Sequence, residues 1–169
     1  MTDTSDLLPE DPHELYRLLL RGASTVWQLE AAEILVFKVK TLRDWLIRNH
    51  FIKKCNDQIR PYASTDFRAA LDRADELPRD EDASNASWLG VSERAVLCVA
   101  SSLSGQVQVG TLRQVMTDLE EEHAQFVAEA MMYAAGFMDA TADPDGNEPG
   151  PPGSGPNAIA HERRILGKD

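Results

Sequence analysis

Residues 91–137, VSERAVLCVASSLSGQVQVGTLRQVMTDLEEEHAQFVAEAMMYAAGF, decide how the rest of the chain is read. Ser92 precedes an apolar series at Ala95, Val96, Val99, Ala100 and Leu103, spaced three and four apart as one helical face requires, and Gly105 follows as a left-handed C-cap. Asp118 is placed to cap a long final helix, with Glu121 three residues later as in a capping box and with Glu120 and Glu122 beside the positive end of the helix dipole. Gly136 closes that helix. Its buried stripe is expected at Leu119, Phe126, Val127, Ala130 and Ala134, and His123 shares the face. Between the two helices, Val107 and Val109 alternate with glutamine over too few residues for a sheet, so an extended connector leads past Gly110 into a short helix over 112–117. No residue set in the segment spells out a reaction.

Upstream the same signals recur. Residues 1–11 read as disordered, and Asp11-Pro12 supplies an N-cap and first-turn proline for a helix through HELYRLLL that Gly22 ends. From Ser24 a long central helix is predicted through Trp27, Ala31, Leu35, Val39, Leu42 and Leu46, with Val36 and Trp45 beside the stripe, because its apolar arc is too broad for a surface helix. Asn49 is read as the start of a separate helical turn through Phe51 and Ile52, stopped by Arg60-Pro61. Ser64 or Thr65 then caps DFRAALDRADEL, with Phe67, Leu71 and Ala74 inward and Pro78 as terminator, and RDEDASNAS is a polar acidic loop. At the other end, TADPDGNEPGPPGSGPN over 141–157 is too rich in proline and glycine to pack and reads as a flexible linker. Residues 158–169, AIAHERRILGKD, follow, and Ile159, Ile165 and Leu166 share one helical face there. They read either as a sticky peptide on a tether or as a disordered tail.

The totals bound the rest. A chain of 169 residues with 43% apolar content holds one ordinary core, hence one domain. No run approaches the roughly 18 apolar residues of a membrane span, and the acidic start MTDTSDLLPEDP is unlike a signal peptide, which places the protein in the cytoplasm. Cys55 and Cys98 are isolated, without a CxxC, and read as buried free thiols. The net charge of −11 opposes a general affinity for nucleic acid or anionic lipid. It is unevenly spread, however: residues 38–60 carry seven basic and two acidic side chains.

The pieces AAEILVFKVKTLRDWL, DFRAALDRADELP and SERAVLCVASSLSG with VQVGTLRQVMTDLEEEHAQFVAEAMMYAAG resemble a group of small all-helical actinomycete proteins of unknown function, over about residues 31–136. The resemblance implies an all-helical fold and a cytoplasmic, actinobacterial origin and brings no catalytic residues. The sequence departs from that group at His123, where an amide is usual, and near Tyr133, where a histidine is.

Candidate chemistry is sparse. Glu120 and His123 have the ExxH spacing with which a helix offers two ligands to a di-iron centre, but no second copy is present: Glu10 and His13 straddle Pro12, and Glu30 and Glu33 lack a histidine. The plain alternative is a core histidine beside solvated glutamates. Only His13, His50, His123 and His161 are available as bases for a nucleophile, and there is no GxxxxGK[ST] and no GxGxxG after a strand. Residues 92–136 have the outline of a helix-turn-helix, yet the reading helix would begin with Asp118, Glu120, Glu121 and Glu122, which phosphates repel. A nucleic-acid contact would therefore fall to Lys40, Arg43, Arg48, Lys53, Lys54 and Arg60, with Lys38 pointing elsewhere, unless these residues answer the acidic helices of the same molecule or of a second copy.

The expectation is thus an all-α single domain of five to seven helices over 12–140, with flexible tails, and a non-catalytic cytoplasmic interaction or adaptor protein without a cofactor. It engages a protein partner, or itself, through its helical surface and through Ile159, Arg163, Arg164, Ile165 and Leu166. The alternatives are a nucleic-acid-associated regulator using the basic band and a metal-dependent enzyme around Glu120 and His123.

Overall fold

The computed structural model describes residues 8–24, 26–55, 60–77, 89–108 and 112–136; the expected linker over 141–157 and the peptide over 158–169 lie outside them. In chain order the elements are α1 (Pro12–Ala23), α2 (Trp27–Lys38), α3 (Lys40–Arg48), β1 (Ile52–Cys55), β2 (Tyr62–Thr65), α4 (Phe67–Glu76), α5 (Val91–Leu103), α6 (Leu112–Thr117) and α7 (Glu121–Ala134). Among the described residues the fold is therefore mostly helical, with one small antiparallel hairpin that the all-α expectation missed. No helix among these residues is long and apolar enough to cross a membrane.

The expected start of α1 is present: Asp11 accepts a hydrogen bond from the His13 N–H at 3.0 Å and Pro12 occupies the first turn. Gly22 does not end the helix, which continues to Ala23 and turns at Ser24 with φ 49. Glycine is required at 22 for another reason. A Cβ there would meet the Ala63 carbonyl oxygen at 2.0 Å, so the bare backbone lets α1 lie directly on β2.

The long central helix is broken. Val39 is extended, at φ −88 and ψ 92, and divides it into α2 and α3. The sequence around the break, VFKVKT, is rich in β-branched residues with low helix propensity, and Arg43 bridges the break by donating to the Phe37 carbonyl and lying over the Phe37 ring. The bend directs α3 against both α2 and α5. The position of α2 at the centre is as expected: it packs on α1, α5 and α7, and Ala31, Ala32, Ile34, Leu35 and Val36 are all buried. Leu19, Leu35, Leu42 and Leu46 are fully buried, each contributing about 2 kcal/mol of apolar transfer.

Instead of a helical turn at Phe51 and Ile52, the chain leaves α3 through a Schellman motif. His50 takes the left-handed position at φ 60, its N–H donates to the Ile47 carbonyl, and the Phe51 N–H reaches the Leu46 carbonyl. The associated apolar contact is the Phe51 ring on Trp45, with centroids 5.3 Å apart. Residues 52–55 then pair with 62–65 in the register Ile52↔Thr65, Lys53↔Ser64, Lys54↔Ala63 and Cys55↔Tyr62. Burial alternates along β2, with Ala63 and Thr65 inward.

Three helix caps differ from the expected ones. Asp66, and not Ser64 or Thr65, caps α4 by accepting from the Ala69 N–H at 3.1 Å, because the Thr65 hydroxyl is used elsewhere. Gly90 occupies the N-cap of α5, which places Ser92 inside the first turn. At α7 the N-cap is Glu120 and not Asp118, and no side chain of its own turn caps it. Gly105 and Gly136 close α5 and α7 in left-handed conformations, at φ 73 and 79, as expected. Arg94 donates to the main-chain carbonyls of Leu77 and Leu89, joining the end of α4 to the start of α5.

Candidate functional site

Two carboxylates lie in the apolar heart of the molecule. Glu33, only 2% exposed, accepts from the Thr65 N–H at 3.1 Å and from the Thr65 hydroxyl at 2.6 Å, so it fixes the hairpin to α2. Burial pushes its carboxyl from 4.5 up to about 7, and the two hydrogen bonds from Thr65 offset only part of the shift. One turn away on α2, Glu30 is also buried and accepts from the Tyr133 hydroxyl at 2.6 Å, fixing α2 to α7. Sequence reasoning saw these glutamates only as failed metal ligands. The available signal was a pair of carboxylates in a helix that is apolar on every side, although their donors stand 32 and 103 residues away.

The Glu120/His123 pair is not assembled as a chelating face. Glu120 lies outside the helix, in extended backbone, with its side chain exposed. His123 is half-buried, and its Nδ1 is 2.6 Å from the Ser92 hydroxyl, whose oxygen also accepts the Glu120 N–H at 2.9 Å. Ser92 thus satisfies the otherwise orphaned start of α7 from a neighbouring helix. Among the described residues no group of three or more His, Cys, Asp or Glu side chains is placed to hold a metal ion. Cys55 and Cys98, expected to be buried, are half-buried, and neither is in a disulfide.

Much of the basic band is paired within the molecule. Lys38 bonds Glu129 on α7 and lies over the Phe126 ring. Lys40 bonds Asp44 at 2.5 Å, Arg43 approaches Asp44 at 3.5 Å, and Lys53 reaches Asp66 at 3.4 Å. Arg48 is exposed at the end of α3, Lys54 is half-buried in β1, and Arg60 is exposed before β2. The six residues 40, 43, 48, 53, 54 and 60 are therefore spread over a helix, a strand and a loop. The apolar and basic residues expected to bind a partner, Ile159, Arg163, Arg164, Ile165 and Leu166, lie outside the described residues.

An apolar surface that the sequence reading did not single out lies on α7. Val127, Ala130, Tyr133 and Ala134 face inward toward α2 and α5. On the opposite side Ala128, Met131, Met132 and Ala135 are exposed, Met131 by 41% and Met132 by 48%. Their spacing of three, four and seven makes one continuous strip. Val26, 51% exposed, stands at the same end of the molecule, because its neighbour Trp27 packs across Gly136 and Tyr133. A Cβ at Gly136 would fall 2.4 Å from the Trp27 ring, so glycine both turns the chain and lets the indole seal the end of α7. Exposed apolar side chains in such a strip, beside polar neighbours, mark docking surfaces more often than scattered single residues do. No family model matches the chain, and comparison with curated proteins and with solved structures likewise returned no match.

Proposed function

We propose that this is a non-catalytic cytoplasmic interaction protein that presents the outer face of α7 to a protein partner. The observation that carries the reading is the exposed strip Ala128, Met131, Met132 and Ala135 on a helix whose other side is already used in the core. Anchors at i, i+3, i+4 and i+7 are the pattern by which a helix seats in an apolar groove, so the partner supplies the groove and α7 the ridge. Methionine suits this role because its unbranched, polarisable side chain adapts to irregular surfaces. The intramolecular pairing of Lys38, Lys40, Arg43 and Lys53 favours this reading over nucleic-acid binding through the basic band, since phosphates would have to displace carboxylates already in place.

The test is affinity purification of the tagged full chain beside a Met131→Glu/Met132→Glu variant, with recovered proteins identified by mass spectrometry. A partner held by the original chain and lost from the variant is the expected result. Equal recovery from both sinks the reading.

A further inference from the structure

Independently of the ridge on α7, we propose that the β1–β2 hairpin is a proton-controlled latch: the neutral Glu33 carboxyl holds it closed on α2, and ionisation of that carboxyl lets it open as a unit. The ladder geometry carries the proposal. The Asp66 N–H donates to the Phe51 carbonyl at 2.8 Å, so 51 and 66 form a bonded pair. By the alternation of an antiparallel ladder, Ile52 and Thr65 then form a non-bonded pair, and the main-chain groups of Thr65 point out of the hairpin. The Thr65 carbonyl accepts from the Gln106 side chain at 3.3 Å, whereas its N–H and its hydroxyl are both left to Glu33. A neutral carboxyl keeps both contacts: Oε1 accepts the N–H, and the proton on Oε2 serves the 2.6 Å contact to the hydroxyl. The chain enters β1 through His50, whose left-handed backbone at φ 60 is the pivot between α3 and the hairpin.

No cation among the described residues answers Glu33; its bonds come from Thr65 alone. On its own helix, Glu30 is bonded to Tyr133 of α7 and Lys38 to Glu129. On α1, Glu14, Arg17 and Arg21 are exposed, His13 is half-buried and Tyr16 lies against the Phe37 ring. On α5, Glu93 is bonded to Thr41, Arg94 to the Leu77 and Leu89 carbonyls, and Cys98 is half-buried. On β1, Lys53 is bonded to Asp66, and Lys54 and Cys55 are half-buried; His50 at the pivot is exposed. An unpaired carboxylate in this setting is opposed by burial, so ionisation favours the arrangement in which Glu33 meets water. The element bonded to it is a hairpin of two four-residue strands, marginal by itself, which opens at less cost than the helices packed on α2. Opening uncovers Ile52, Ala63 and the surface of α1 around Gly22. Because burial moves the carboxyl from 4.5 up to about 7, the closed form is the protonated one. Opening is therefore independent of pH below 4.5, rises between 4.5 and about 7, and levels off above.

The test is amide hydrogen exchange of the full chain between pH 5 and pH 8, each rate divided by that of an unstructured amide at the same pH. Protection of the Lys53, Ser64 and Asp66 amides is expected to fall roughly ten- to a hundredfold across this range. At every pH it is also expected to lie at least about tenfold below that of Leu97 in α5 and Val127 in α7, as separate opening of the hairpin requires. Hairpin protection equal to that of the helices at every pH means that Glu33 meets water only in global unfolding, and overturns the latch. Hairpin protection that does not change with pH overturns it as well, and both outcomes are read on the unaltered chain. In Glu33→Gln the hairpin amides should stay less protected than the helices but lose their dependence on pH. A slope that persists in this variant assigns the titration to another group, His50 foremost, and overturns the role of Glu33.

Discussion

Helix α2 and the outer face of α7 break the same rule in opposite directions. In α2 two carboxylates are buried among leucines and alanines; on α7 two methionines and two alanines stand in solvent. The buried exception is resolved within the molecule, since Glu33 finds both donors of Thr65 and Glu30 finds Tyr133. Those contacts tie two elements, β2 and α7, to one helix and account for the glutamates without any ligand. The exposed exception has no such resolution among the described residues. A polar group that violates its environment and is satisfied is architecture, whereas an apolar group that violates its environment and is unsatisfied points outward to something else.

The comparison breaks most visibly through pH. Glu33 has a folded-state value of about 7 against 4.5 for the free group, so between these values the folded chain retains a proton that the unfolded chain releases. Its contribution to stability is fully present below 4.5 and is lost as pH rises through about 7, a loss approaching about 3 kcal/mol. In Glu33→Gln the amide oxygen still accepts the Thr65 N–H and the amide N–H donates to the hydroxyl, so the variant should gain stability relative to the original chain between pH 5 and 8. Urea midpoints at the two pH values check this, and an unchanged difference shows that the carboxyl is not proton-linked to folding.

A smaller effect is expected from Tyr133→Phe, which leaves Glu30 buried without its phenol donor and should cost about 1 to 2 kcal/mol at neutral pH. Thermal unfolding followed by circular dichroism measures it; a neutral result means that Glu30 is satisfied in another way. The smallest is on the other side of the comparison. Met131→Glu/Met132→Glu should alter stability by less than about 0.5 kcal/mol, because neither side chain supports the core. A large loss in the same unfolding experiment would show that the strip is structural and not a ridge held ready for a partner.

The helices were legible wherever their signals are local. Asp11-Pro12 marks the start of α1, Gly105 and Gly136 mark helix ends, and the apolar spacing of 95–103 marks α5. What depended on distant groups was not legible. Ser92 looks like the cap of its own helix but serves the start of α7, and Thr65 looks like a cap for α4 but is held by Glu33. The hairpin was hidden because four-residue strands carry too little periodicity to outweigh a helical reading, and because the left-handed residue that redirects the chain is His50, not a glycine. The ridge on α7 was hidden by attention to inward positions: a helix pattern identifies its buried stripe from apolar spacing, and Met131 and Met132 extend that spacing around the helix until both sides look internal.

The indole of Trp27 lies against Gly136 and its ring centre is 6.3 Å from that of Tyr133. That places an intrinsic fluorophore at the junction between α7 and everything that follows it in the chain. Whatever settles on or leaves that end of the helix changes the polarity and quenching around one aromatic ring, so the protein carries an optical reporter where its main chain passes from the core to the segment beyond.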